Sequence, residues 1–319
     1  MLKRIMKFFG ILLSMLIISL FTFFCVKVQE ANGDVKSATM GILEDVADKI
    51  TNLEPIYVLV LGVSTDLNTE LTDTIMLAGY NPKTQKAFLI SIPRDTFVGK
   101  NIEKAKSSDK INSLYSISVD KTISAVEKIT NINIDYYVTI KTQMLIKIVD
   151  SIGGVEFDVP IDMKYGDKTQ NFYINLKKGR QLIDGKKAEQ LLRFRHNDDG
   201  SSYSTEYGDN DYGRMRTQRE FAKETIKQCL EVKDIGTLKK IIATVFEDVE
   251  TNIELPLIFS YLVYAYEFNF ENLSQNQLPG KSVYKNKLWV FEKNYAESQS
   301  LLNTILADFN QMWLQRKIK

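Results

Sequence analysis

The sequence predicts an α/β domain, a central mixed β-sheet flanked by helices, and three observations lead there. Residues 56–63, IYVLVLGV, are an unbroken apolar run of strand length, the pattern of a strand covered on both faces. Residues 75–80 and 87–92 are β-branched and aromatic, and Asn81-Pro82-Lys83-Thr84 between them has turn chemistry, so the two runs read as a hairpin. From residue 122 onward helical and extended patterns alternate, as they do where helices cover a sheet.

Taken in order, the chain begins with a basic tail, residues 1–7, containing Lys3, Arg4 and Lys7. No charge occurs from Phe8 to Val26, close to the ~20 apolar residues that span a bilayer, so residues 8–28 are expected to form a transmembrane helix. The positive-inside rule then places the amino terminus in the cytoplasm and the main domain outside a cell membrane crossed once. Residues 29–54 form the expected extracytoplasmic stalk, with Ile42, Val46 and Ile50 at helical spacing and Pro55 as the stop. Core elements occupy 55–235. Residues 122–130 and 143–152 read as helices, the second stopped by Gly153-Gly154, while 135–140 and 155–159 read as strands. Residues 164–175 admit a hairpin or a loop. A helix follows over 185–194, and 196–213, acidic and nearly free of aliphatics, reads as a solvated lid. Residues 214–230 are helical. The remainder, 236–319, is read as completing the same domain, with helices over 237–246, 257–266 and 297–313 and a strand over 287–291.

Composition narrows the chemistry. Of 319 residues 44% are hydrophobic and 25% charged, a globular balance, and the formal net charge is only +1. No global field recruits nucleic acid, so any anion site must be a local cluster. Cys25 and Cys229 cannot build a disulfide framework and read as free. His196 is the single histidine, which argues against histidine-based triads and multi-histidine zinc sites.

Charged side chains instead gather at the ends of apolar elements: Asp66, Asp73, Arg94, Asp95, Lys110, Arg193, Arg195, Asp211, Arg214 and Gln218. Any one of these could form an ordinary surface pair. Arginines from separate segments can converge, however, and guanidinium forks match phosphate oxygens bidentately. Carboxylates beside them can hold Mg2+, or Mn2+, against the same phosphates. That combination suits phosphoryl transfer, where positioning and charge neutralisation supply most of the catalysis.

The same residues carry a resemblance. Leu61-Gly62, the run from Thr72 to Leu77, Asn81-Pro82 and the run from Ser91 to Thr96 resemble the opening of the LytR-CpsA-Psr family. It continues through Lys110-Ile111-Asn112, the run from Val149 to Val155, Asp184-Gly185, Arg193-Phe194-Arg195, and Asp211 to Arg214 with Gln218. The resemblance implies an α/β/α domain and a Mg2+-dependent phosphotransferase of Gram-positive-type cell envelopes. Such a ligase joins an anionic glycopolymer, teichoic acid or capsular polysaccharide, from a polyprenyl diphosphate carrier to peptidoglycan, with pyrophosphatase activity as a side reaction. Motif positions then put Asp73 and Asp66 on the metal. Arg94, Lys110, Arg193, Arg195, Arg214 and Gln218 fall on the diphosphate, and Asp95 or Asp211 in a basic or supporting role. The carrier's tail requires an apolar groove between sheet and helices.

Three positions depart from the family pattern. Leu71 replaces an arginine, Ser64 stands nearer than Asp66 to the register of the second metal-binding aspartate, and Thr217 takes the place of the second arginine of an R-x-x-R-Q motif. These departures keep open a second class, a non-catalytic relative that binds lipid-linked polymer and assists wall assembly.

Overall fold

The structure, a computed structural model, describes residues 53–66, 69–231, 249–265 and 268–310, together with Gln29. The expected tail, transmembrane helix, most of the stalk, Cys25 and the helix over 237–246 lie outside the described residues. Among those described, no helix is long and apolar enough to cross a membrane. Residues from Glu54 onward form one compact unit.

That unit is built on a six-stranded mixed sheet. Its strands are β1 (Ile56–Asp66), β2 (Thr69–Asn81), β3 (Lys86–Ser91), β4 (Tyr136–Lys141), β9 (Glu250–Thr251) and β10 (Leu273–Gln277), in the order β10-β3-β2-β1-β4-β9. β1–β2, β2–β3 and β4–β9 are antiparallel, whereas β1–β4 and β3–β10 are parallel. The hairpin turns at the expected place. The Asn81 carboxamide accepts from the Lys83 amide at 3.0 Å and donates to the Phe309 carbonyl at 3.0 Å, so one side chain closes the turn and ties it to the C-terminal helix.

One face of the sheet is a closed core. Leu59, Leu61, Ile75, Leu77, Phe88 and Ile90 pack against α1 (Val119–Thr130) and α5 (Tyr295–Asn310), chiefly through Val126, Ile129, Leu302, Ile305 and Phe309. Ser118 caps α1 by accepting from the Lys121 amide, and Asn131 ends it in the left-handed region at φ 56°. The other face looks toward α2 (Thr142–Ser151) and α4 (Asn210–Leu230), without a filled interface between them.

A second core supports that open side. Two small sheets, β5 (Val155–Val159) with β8 (Gly179–Ile183) and β6 (Met163–Asp167) with β7 (Phe172–Leu176), pack with α3 (Gly185–Arg193) around Phe157, Ile174, Leu191 and Phe194. Residues 164–175 are therefore a hairpin. Asp184 caps α3 by accepting from the Lys187 amide, and Asp150 accepts from the Gly185 amide at 2.8 Å. These motif aspartates serve the scaffold.

Two sequence expectations are corrected. Asp73 does not precede the first hairpin strand but lies inside β2, because β1 runs on to Asp66 and draws β2 out to Thr69. Residues 196–213 are not a solvated lid throughout. Tyr203 is buried against Phe194 and stacks on Tyr207 at 5.3 Å, while α4 begins at Asn210; aromatic burial replaces the missing aliphatics. A Cβ at Gly213 would lie 2.2 Å from the Tyr203 ring, which explains the glycine in the helix's first turn.

Gly185 is equally constrained, since a Cβ there would meet the Ile146 carbonyl oxygen at 2.5 Å. Backbone cannot yield as a flexible side chain can. Gly185→Ala should therefore cost about 1–3 kcal/mol of stability, read as a lower urea midpoint with an unchanged slope.

Candidate functional site

A cavity of about 620 Å3 lies between the open face of the sheet, α2, α4 and the β6–β7 hairpin. Its floor is apolar: Val60 of β1, Met76 and Ala78 of β2, Leu89 of β3, and Val138 and Ile140 of β4. Leu145 and Ile148 of α2 and Phe221 and Ile226 of α4 form the walls. At one end, beyond Gly62 and Ser64, the lining changes to Asp73, Arg94, Arg195, Arg214 and Gln218.

A β-bulge aims the carboxylate at the centre of that polar end. Gly62 pairs with Thr74 and Val63 with Thr72, so Asp73 is the extra residue of β2 and projects from the ladder. Gly62 permits this, because a Cβ would lie 2.9 Å from the Thr74 side chain. Asp73 accepts from the Ser64 hydroxyl and from the Arg94 guanidinium, one on each oxygen, and Arg195 stands 3.9 Å away.

Asp211, in the first turn of α4, holds the other side. Its Oδ1 is 2.7 Å from Arg214 and 3.3 Å from Arg195, with neither N–H aligned on it, so charge pairing acts there without a hydrogen bond. Arg214 is 3% exposed and also donates to the Asp73 backbone carbonyl at 3.4 Å. Arg94 follows Pro93 at the end of β3, in a loop fixed by Asn112 and Ile111 amides donating to the Arg94 and Thr96 carbonyls.

Thus five expected residues, Asp73, Arg94, Arg195, Asp211 and Arg214, form one cluster, and Gln218 joins it on the same wall of the cavity. Asp95 flanks the cluster, 4.0 Å from Arg94, and binds Lys110 at 2.8 Å. Lys110 reaches the cluster only through Asp95. Arg193 lines the same cavity but is engaged elsewhere, by Glu189 at 3.0 Å, by Gln170, and by the Phe172 ring 3.9 Å below its guanidinium carbon. Asp66 ends β1, and its side chain lies outside the described residues. Ser64, which the sequence reading placed nearer than Asp66 to the family's second metal-binding position but gave no role, takes the place beside Asp73. The individual apolar lining was also missed, since the run 56–63 shows no alternation to separate a core face from a cavity face.

Protonation equilibria follow from this crowding. Burial pushes the Asp73 carboxyl up, but Arg94, the Ser64 hydroxyl and Arg214 outweigh it and hold it below the usual carboxylate range. Burial works against the Arg94 charge, yet Asp73, Asp95 and Asp211 raise its pKa. Arg195 has the opposite balance: burial, then repulsion from Arg214 and Arg94, bring it down to about 10. Burial likewise lowers Arg214. Buried polar atoms without partners complete the picture: Arg94 Nε, Arg214 Nε and Gln218 Oε1. An anion with several oxygens would satisfy the donors and relieve the repulsion.

To a divalent cation the polar end offers one ionised carboxylate, whose oxygens here accept from Ser64 and Arg94. Asp73 is ionised, one-third exposed and faces the cavity. Among the described residues no group of three acidic, histidine or cysteine side chains converges on a metal site. One carboxylate suits Mg2+, which keeps waters and takes substrate phosphate oxygens as its remaining ligands.

Comparison with known proteins identifies the family. A model of the LytR_cpsA_psr family matches residues 22–306. The chain belongs to the LytR-CpsA-Psr family. Over 262 residues it is 29% identical to a Bacillus cereus protein named polyisoprenyl-teichoic acid--peptidoglycan teichoic acid transferase TagU, covering 81% of this chain and 80% of that one. Over 251 residues it is 28% identical to biofilm regulatory protein A of Streptococcus mutans, covering 73% of this chain but 59% of that protein's length. The crystal structure of Bacillus subtilis TagV superposes with a TM-score of 0.67 at 24% identity, over 81% of this chain and 98% of that one, and shares the fold.

Two expectations test the cluster. The folded Asp73 pKa lies below its unfolded value, so its contribution is present above about pH 4 and is lost as pH falls through the folded pKa. Asp73→Asn should flatten the dependence of melting temperature on pH between 2 and 5. Conversely, Arg195 and Arg214 hold their charges at neutral pH against burial. Inorganic pyrophosphate should raise the melting temperature by several degrees in the wild type and by much less in Arg195→Ala.

Proposed function

We propose that this protein is a membrane-anchored extracytoplasmic phosphotransferase that attaches an anionic glycopolymer, teichoic acid or capsular polysaccharide, from a polyprenyl diphosphate carrier to peptidoglycan. The observation that carries this reading is an arginine cluster at one end of an apolar cavity. A diphosphate joined to a long hydrocarbon has the matching polarity. The relatives' names as teichoic acid transferases support the same chemistry for this chain.

Arg94, Arg195 and Arg214 surround the point where the diphosphate would sit, and the unpartnered Nε atoms of Arg94 and Arg214 supply donors for its oxygens. Held on rigid elements before the substrate arrives, they neutralise charge developing at phosphorus without reorganisation. Val60, Met76, Ala78 and Leu89 would take the first isoprene units of the tail and exclude water. An acceptor hydroxyl attacks the phosphorus bonded to the glycan; the phosphoanhydride bond breaks, a phosphodiester forms, and polyprenyl phosphate leaves. Asp211 or Asp95 stands nearby to receive the hydroxyl proton. Asp73 would hold Mg2+, which contributes charge neutralisation at the phosphate oxygens when bound.

Leu71 and Ser64 at the Asp73 side of the site also support a second reading, a relative that binds the carrier without turning it over. One assay separates the two. The full-length protein in detergent, given a polyprenyl diphosphate disaccharide with Mg2+, should release polyprenyl phosphate. Chelator should abolish release, and Arg94→Ala should lower it about 100-fold or more. Absence of release from folded protein that still binds the lipid would assign the binding role instead.

A further inference from the structure

The hairpin formed by β11 (Gly280–Lys285) and β12 (Leu288–Lys293) carries two of the largest exposed aromatic side chains among the described residues. Tyr284 and Trp289 are paired in register, their rings 5.3 Å apart and tilted by 57°, and they are 56% and 59% exposed. A cross-strand aromatic pair stabilises a hairpin through the contact of its two rings. Here its outer faces meet solvent.

Two features of the surroundings indicate what such a surface would hold. β12 is tied to the catalytic end of the molecule: the Phe291 amide donates to the Asp95 carbonyl at 2.8 Å, and the Phe97 amide donates to the Phe291 carbonyl at 2.9 Å. At the end of the same strand, Lys293 lines a cavity of about 520 Å3 together with Thr96, Phe97, Lys121 and Lys128, three lysines against the one acid Asp120. The hairpin itself carries Lys281, Lys285, Lys287 and Lys293 against the single acid Glu292, with Lys285 paired to Glu103 at 2.6 Å. The loop that holds Arg94 and Asp95 is thus bonded to the strand that carries Trp289, and its next residues, Thr96 and Phe97, line the concavity with Lys293.

We infer that Tyr284 and Trp289, with Lys121, Lys128 and Lys293, bind the phosphate-bearing saccharide chain of the glycopolymer beyond its diphosphate end. Sugar rings offer flat C–H faces that stack on aromatic rings, and phosphates along the chain pair with the ammonium groups. A membrane interface also favours tryptophan, tyrosine and lysine. The basic cavity favours the glycan, because a concave groove suits a chain better than a bilayer plane.

This inference rests on the proposed function, and the test keeps the two apart. Full-length protein in detergent is titrated with glucosylated poly(glycerol phosphate) free of lipid and, separately, with geranylgeranyl diphosphate. The polymer should bind in a salt-dependent manner. Trp289→Ala should weaken it about tenfold, Trp289→Phe should restore most of the loss, and Lys121→Gln with Lys128→Gln should reduce the salt dependence. None of these substitutions should alter binding of the prenyl diphosphate. Polymer binding that is absent, or unchanged in Trp289→Ala and Tyr284→Ala, while prenyl diphosphate still binds, overturns the platform and leaves the proposed function standing. Failure of both ligands overturns both. Loss of binding to phosphatidylglycerol vesicles in Trp289→Ala, with polymer affinity intact, would reassign the surface to the membrane.

Discussion

Two carboxylates hold three arginines in one small volume, and the rest of the structure serves that arrangement. Arg94, Arg195 and Arg214 come from three segments and repel one another, and burial adds to the cost of each charge. Asp73 and Asp211 reduce that cost from opposite sides. They do not remove it, since Arg195 and Arg214 keep lowered pKa values and two guanidinium Nε atoms stay unpartnered. The cluster thus keeps a buried surplus of positive charge and unused donors.

Each carboxylate depends on a distinct local device. Asp73 reaches the cluster because β2 bulges opposite Gly62 and Val63; a regular ladder would have paired it with β1. Asp211 stands in the first turn of a 21-residue helix, where the exposed amides of the helix end favour a negative charge. The helix start is itself fixed by packing. Tyr203 and Gly213 meet too closely for any side chain at position 213, which locks the loop before α4 against the helix.

The sheet separates two kinds of apolar surface. On one side Phe88, Ile90 and Leu61 meet helices and form a solid core. On the other, Met76, Ala78 and Val138 face a cavity that the second core holds open, because α3 and the two small sheets brace the walls from outside. A continuous hydrophobic strand is satisfied by either environment, protein or hydrocarbon ligand.

Much of this was legible in the residues. The run at 56–63, the hairpin around Asn81-Pro82 and the helix–strand alternation specify an α/β sheet through local pattern, and the motif positions of Arg94, Arg195, Asp211 and Arg214 name charges that the structure brings into one cluster. Local pattern could not separate Arg195 from Arg193, two residues apart, because only the packing of β7 beneath Arg193 turns it toward Phe172 and Gln170. Nor could it show that Asp150 and Asp184 cap and tie α3 while Asp73 and Asp211 pair with the clustered arginines. Composition and spacing determined the elements and the charges available. Which charges meet, and which strand face stays open, was decided by tertiary structure, because a bulge, a helix start and a bracing second core act between segments far apart in the chain.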